Sequence, residues 1–149
     1  DPHIMAEQAK RIEHRPFDIL DVNMGCPVPK VVNNGEGSAL MKNPKLVGEI
    51  VEALAKAIKK PVTVKIRKGF DDEHVNAVEI AKIIEDSGAA AVAVHGRTRE
   101  QMYAPEASPD YCRTIRERLD ADGFGKVKLI GKRFEWFCQG SPDSFTDGN

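Results

Sequence analysis

Three short apolar runs, Phe17 to Asn23, Pro61 to Arg67 and Ala89 to His95, alternate along the chain with segments of helical periodicity. This alternation constrains the fold more than any other feature, because apolar strands separated by amphipathic helices form βαβ units with right-handed crossovers and a parallel sheet. In the first segment Ile4, Ala9 and Ile12 recur at helical spacing among Glu7, Lys10, Arg11 and Glu13, and Pro16 ends it. Asn43 caps and Pro44 opens the next helix, with Val47, Ile50, Val51, Leu54 and Ile58 as its stripe. Asp71 and Asp72 suit the start of another, with Val75, Val78, Ala81 and Ile84 as its buried face and Gly88 at its left-handed end. Ser108-Pro109 begins a fourth helix, to about Leu119, and Val127 to Ile130 reads as a short strand. The fold class is α/β.

The same alternation suits a doubly wound sheet and a (β/α)8 barrel, and the polar residues choose between them. Asp21 and Asn23 oppose Leu20 and Val22; Thr63, Lys65 and Arg67 oppose Val62, Val64 and Ile66; His95 and Arg97 oppose Val92 and Val94. Each strand thus turns polar on one face toward its carboxyl end, where a barrel builds its active site. An open sheet covered by helices on both faces would bury Lys65 and Arg67 without evident partners. The pattern predicts a partial (β/α)8 TIM barrel. A full barrel takes about 250 residues, so a chain of 149 residues holds about half of one.

With 41% apolar residues the chain can bury a core of its own. Its 22 Lys+Arg against 23 Asp+Glu leave a formal charge of −1, so any polyanion must be held by local patches. Cys26, Cys112 and Cys138 are odd in number, far apart and without a C-x-x-C pair, which argues against a disulfide framework and against a zinc site. A reducing cytoplasm fits these thiols. The sequence carries no apolar run of bilayer-spanning length, so no membrane association is expected.

The chemistry concentrates at the strand ends. Asp21-Val22-Asn23-Met24-Gly25-Cys26-Pro27 ends a strand in a tight Gly/Pro turn that sets one thiol near a carboxamide. Free thiols titrate near 8.5 and are mostly protonated near neutrality, a form able to act as a general acid; a nearby cation would instead favour a nucleophile. A small buried hydrophobe is the plain alternative for such a cysteine. Lys65 and Arg67 share one face of an apolar strand and need an anion or a ligand oxygen; an ion pair with Asp21 would serve. His95 holds the equivalent place on the next strand, either in a site or as a core hydrogen bonder. Together these strand ends describe a site for an electron-rich, anionic ligand. Gly35-Glu36-Gly37-Ser38 lacks dinucleotide-fingerprint spacing and reads as a flexible loop. Arg97, Arg99, Gln101 and Tyr103 form either an RNA-contacting loop or a solvated basic one.

Several stretches resemble the tRNA-dihydrouridine synthases, most of all their bacterial B-type branch: residues 21–27, Lys30, Gly37-Ser38-Ala39-Leu40-Met41, residues 62–69 and residues 94–103. The resemblance covers roughly Asp1 to Tyr103. It implies an FMN-dependent TIM barrel, followed by a small helical RNA-binding domain, that reduces the C5–C6 bond of uridines in tRNA with NADPH as reductant. It makes Cys26 the acid that protonates C5, and places Lys65, His95 and Asn23 at the flavin. Arg67, Lys30 and Arg97 fall toward the substrate. The family's opening strands would precede Asp1, and after Tyr103 the motifs fade, with Ile130-Gly131-Lys132-Arg133-Phe134 where the family holds FMN with a Gly-Asn-Gly-Asp strand end. The expected organisation is therefore the central part of a catalytic barrel over residues 1–119 and a divergent or disordered tail over 120–149, in a piece of a longer, monomeric protein. Two other readings stay open: an FMN barrel reducing free pyrimidines, and an inactive half-barrel.

Overall fold

The computed structural model describes residues 1–103 without a break, and beyond them 113–114, 117–118, 120–121, 129–130 and 136–137. Helix α1, Pro2–Ile12, starts where the Asp1 carboxylate accepts from the amides of His3 and Ile4 at 2.8 and 3.0 Å. Strand β1 is Leu20–Asn23, shorter than the run from Phe17, with Ile19 turned outward at 54% exposure. A one-turn helix α2, Pro29–Val32, and a 3-10 turn, Gly37–Lys42, lead to α3, Pro44–Ala57. There Asn43 Oδ1 accepts from the Leu46 amide and Pro44 takes the first turn, as the sequence indicates. Strand β2 is Val62–Gly69, α4 is Ala77–Asp86 and β3 is Ala91–Thr98.

These strands form one parallel sheet in the order β1-β2-β3, with Asn23 opposite Lys65 and Arg67 opposite His95. Val62, Val64, Ile66, Val92 and Val94 are buried beneath Val47, Ile50, Val51 and Leu54 of α3 and Ala77, Ile80, Ala81 and Ile84 of α4. This cluster is the core, and it lies on one face of the sheet.

Helix α4 begins later than Asp71-Asp72 suggests. Asp71 Oδ1 accepts from the amides of Glu73 and His74 at 3.0 and 2.8 Å, closing a local turn in place of a cap. Val75 is consequently exposed, and Ala77 and Ile80 take its place on the buried face. Gly88 has φ +95 just past α4, the left-handed position expected of it.

Positions 113–114, 117–118 and 120–121 are helical, and the rest of the helix expected from Ser108-Pro109 to about Leu119 lies outside the described residues. Strand β4, Leu129–Ile130, pairs antiparallel with β5, Trp136–Phe137, in a separate small sheet, so this short strand does not extend the parallel one. The remaining expectations for residues 120–149 lie outside the described residues. Among the described residues no helix is long and apolar enough to cross a membrane.

Candidate functional site at the carboxyl ends of the parallel strands

The face of the sheet opposite the core carries Asp21, Asn23, Thr63, Lys65, Arg67 and His95, brought side by side by the strand register. Asp21 accepts from Thr63 Oγ1 at 2.7 Å, so the carboxylate is engaged by the neighbouring strand's hydroxyl. Asn23 is exposed, and its Oδ1 accepts from the Gly25 amide at 3.0 Å, starting the turn that carries the thiol. Pairing with β2 continues one residue past β1, where Met24 N–H donates to Lys65 O at 2.8 Å. Cys26 follows two residues on, half-buried and free.

The turn is gripped from two sides. From the 3-10 turn, the Ser38 hydroxyl and the Ser38 amide both donate to the Cys26 carbonyl, at 2.8 and 3.0 Å. Gly37 makes this approach possible: its φ is +59, and a Cβ there would stand 2.8 Å from the Cys26 carbonyl oxygen and 2.9 Å from its Cβ. Ser38 has no solvent exposure, so of the stretch read as a flexible loop only Gly35 and Glu36 are exposed, and Gly37-Ser38 is the buried start of the 3-10 turn. No periodicity marks it. The one sequence signal is a Gly-Ser pair running into Ala39-Leu40-Met41 ahead of the Asn43-Pro44 cap.

From the sheet, Arg67 reaches the same turn. It is 4% exposed, and its guanidinium donates from Nε to Gly25 O (2.8 Å) and from Nη1 to Thr98 O (3.0 Å) and Met102 O (2.8 Å). Backbone carbonyls thus supply the oxygens this cation requires, and it ties the thiol-bearing turn to the loop after β3. Burial lowers its pKa from the ordinary value, with Tyr103 opposing and Arg97 adding to the effect, yet an arginine keeps its charge at any physiological pH. The loop it holds is closed by Thr98 and Gln101, whose side chains each accept from the other's amide. Met102 at φ +47 is the strained point of this loop.

His95 lies beside Arg67 on β3. Burial pushes its imidazole down to about 4, and the charges of Arg67, Arg97 and Lys65 push the same way, so the ring is neutral near pH 7. Arg97 N–H lies 3.3 Å from Nδ1 and Arg97 Nη1 lies 3.4 Å from Nε2; a neutral ring accepts only one of them at a time. Lys65 and Arg97 are half-buried on this side, and Lys30 is exposed on α2, just past the thiol.

The fold therefore gathers Asn23, Cys26, Lys65, Arg67, His95 and Arg97 at one end of the sheet and leaves Lys30 at its rim. A separate cavity of about 350 Å3, lined by Met41, Lys42, Phe70 and His74 among others, takes in none of these residues.

A parallel α/β sheet here bears a thiol turn, a neutral imidazole and several cations at its carboxyl end, the place where such sheets bind ligands. The sequence profile of the family described as Dihydrouridine synthase (Dus) matches residues 1–121, and the chain belongs to this family. The match runs past Tyr103, where the recognisable motifs stop. The chain is 47% identical over 119 residues to the tRNA-dihydrouridine synthase B of Shewanella oneidensis, covering 80% of this chain and 37% of that protein. It is 44% identical over 136 residues to a Rickettsia conorii protein named Probable tRNA-dihydrouridine synthase, covering 86% and 41%. It spans about two fifths of the length of these relatives. Among solved structures it is similar to one assigned as a phosphonomutase from Burkholderia cenocepacia J2315, with TM-score 0.55 at 19% identity over 79% of this chain and 48% of that one, a likeness of fold alone.

Proposed function

We propose that this chain supplies the thiol-bearing part of a flavoenzyme that reduces uridine to 5,6-dihydrouridine in tRNA, with FMN as hydride carrier and NADPH as the source of reducing equivalents. The observation that supports it most is the half-buried Cys26 set beside Asn23, Lys65 and His95 at the carboxyl ends of parallel strands, in a chain of the dihydrouridine synthase family. In this reading residues 1–119 are the central part of an FMN-binding (β/α)8 domain, about half of the barrel, and 120–149 a divergent tail. The protein is cytoplasmic, monomeric and metal-free.

The residues suit a flavin. The polar face offers ammonium and guanidinium cations and a neutral imidazole, while its carboxylate, Asp21, is already engaged by Thr63. Such a donor set fits the electron-rich edge and polar groups of an isoalloxazine. Lys65, His95 and Asn23 would hold it. When bound there, FMN supplies the hydride for uracil C6. Cys26 keeps a proton on Sγ and delivers it to C5, so the double bond gains hydride and proton at its two carbons. The uracil leaves its stack to reach this end of the sheet. Arg97 and Lys30 fall on the path of the RNA, Lys30 being exposed next to the thiol turn, whereas Arg67, expected at the substrate, is buried against the carbonyls of Gly25, Thr98 and Met102.

The test is a titration of the purified chain with FMN followed by reaction with NADPH and tRNA lacking dihydrouridine, scored by mass spectrometry of the nucleosides. Flavin uptake with dihydrouridine formation is the expected result. Cys26→Ala should retain flavin yet form dihydrouridine about 10²–10⁴-fold more slowly, the usual loss for a positioned acid. A chain that never takes up flavin would be an inert half-barrel. One that reduces free pyrimidines and spares tRNA would be a reductase of another class.

A further inference from the structure

We propose that Ser38 and Arg67 are positioning residues that hold the Cys26 thiol from opposite sides. The proposal deepens the reading of Cys26 as the acid. The two grips are independent in the fold: Ser38 comes from the 3-10 turn after the thiol, whereas Arg67 comes from β2. Ser38 spends both its hydroxyl and its amide hydrogen on one acceptor, the carbonyl of Cys26 itself. Arg67 takes the carbonyl of the residue before, Gly25, through Nε. Both donors are buried, Ser38 at 0% and Arg67 at 4% exposure, so water does not readily replace them.

The packing leaves the turn little freedom. A Cβ on Gly25 would stand 3.3 Å from the Ile66 carbonyl carbon, and one on Gly37 would meet Cys26 below 3.0 Å. The turn therefore lies flat against β2 on one side and against Gly37 on the other. Asn23 adds a third tether at the start, through Oδ1 and the Gly25 amide. A proton donor must present one atom in one place, and a cysteine in a loop free to swing would not. Arg67 extends the device, since the guanidinium that holds Gly25 also holds Thr98 and Met102, placing the loop after β3 and the thiol turn on one cation.

The experiment measures thiol reactivity in the full chain, so it needs neither flavin nor RNA. Cys26 is alkylated with neutral iodoacetamide and, in parallel, with anionic iodoacetate, and each cysteine is scored separately by peptide mass spectrometry. Ser38→Ala should speed labelling of Cys26 by about 3–10-fold, the population change expected when one buried hydrogen bond is lost. Arg67→Lys, which keeps the charge but loses the fork, should act in the same direction. Both should also lower the preference of Cys26 for iodoacetate over iodoacetamide, because a released turn carries the sulfur away from the cations of β2 and β3; a general loss of stability would instead speed hydrogen exchange in α3 and α4 as well. If Ser38→Ala does not fold, Arg67→Lys alone decides the matter. Wild-type rate and charge preference at Cys26 in the folded variants, or acceleration matched by an equal loss of hydrogen-exchange protection in α3 and α4, would overturn the proposal. A wild-type chain that labels as expected but takes up no FMN would defeat the flavoenzyme reading and leave the clamp standing.

Discussion

The two faces of the three-stranded sheet use the same backbone for different ends. Toward α3 and α4, Val62, Val64, Ile66, Val92 and Val94 pack into one apolar cluster. On the other side Asp21 and Asn23 are exposed and Lys65 and His95 half-buried, although they alternate with those core residues along the same strands. Alternation by twos makes this possible, since neighbouring side chains leave a strand in opposite directions. One face thus secures the fold, and the other is free to carry groups whose burial would be costly.

A pair of adjacent substitutions puts this contrast to its strongest test. Ile66→Ala opens a cavity in the core and should cost about 2–5 kcal/mol of stability, measured by urea unfolding. Lys65→Ala, one residue earlier on the half-buried polar face, should cost less than about 1 kcal/mol, while weakening FMN binding in a fluorescence titration. Equal destabilisation by both would show that the polar face is as much a part of the core as the apolar one.

Arg67 is the exception that sharpens the division, because it points to the polar face and is nonetheless buried. Arg67→Met keeps the aliphatic stem and leaves the carbonyls of Gly25, Thr98 and Met102 without their donor. A loss of about 2 kcal/mol is expected. Hydrogen exchange should locate the change in residues 24–27 and 98–102 and spare α3. An unaltered exchange pattern there would mean that the carbonyls find other donors and that the arginine is not what joins the two loops.

These two residues also mark how far the sequence could be read. The strands, their parallel order and the polar carboxyl ends follow from periodicity, which is local information, and so do the Asn43-Pro44 start of α3 and the Gly88 end of α4. Ser38 and Arg67 work through partners 12 to 42 positions away, and no spacing rule registers a bond of that kind. The start of α4 escaped for another reason: aspartate caps helices and closes turns by the same hydrogen bond to a following amide, so Asp71 satisfies either reading. The family motifs single out Cys26 and also contain Ser38 and Arg67, yet as sequence they do not show that these two hold the thiol turn still.

The smallest effect expected concerns His95, where the polar face touches the stability of the whole. Its folded pKa is lowered to about 4 from an ordinary 6.5, chiefly by burial, with Arg67, Arg97 and Lys65 adding to it. Between those values the unfolded chain binds a proton that the folded chain does not, so acid favours unfolding. The contribution is fully present above about pH 6.5 and is lost progressively as pH falls toward 4. Because the ring is only partly buried, the loss is discounted to on the order of 1 kcal/mol. Urea unfolding at pH 7.0, 6.0 and 5.0 should show it, and His95→Gln, which carries no titrating ring, should flatten that part of the profile. Identical pH profiles for the two proteins would mean that the imidazole is wet enough to protonate in place, and the division between a dry face and a wet one would then run between Arg67 and His95.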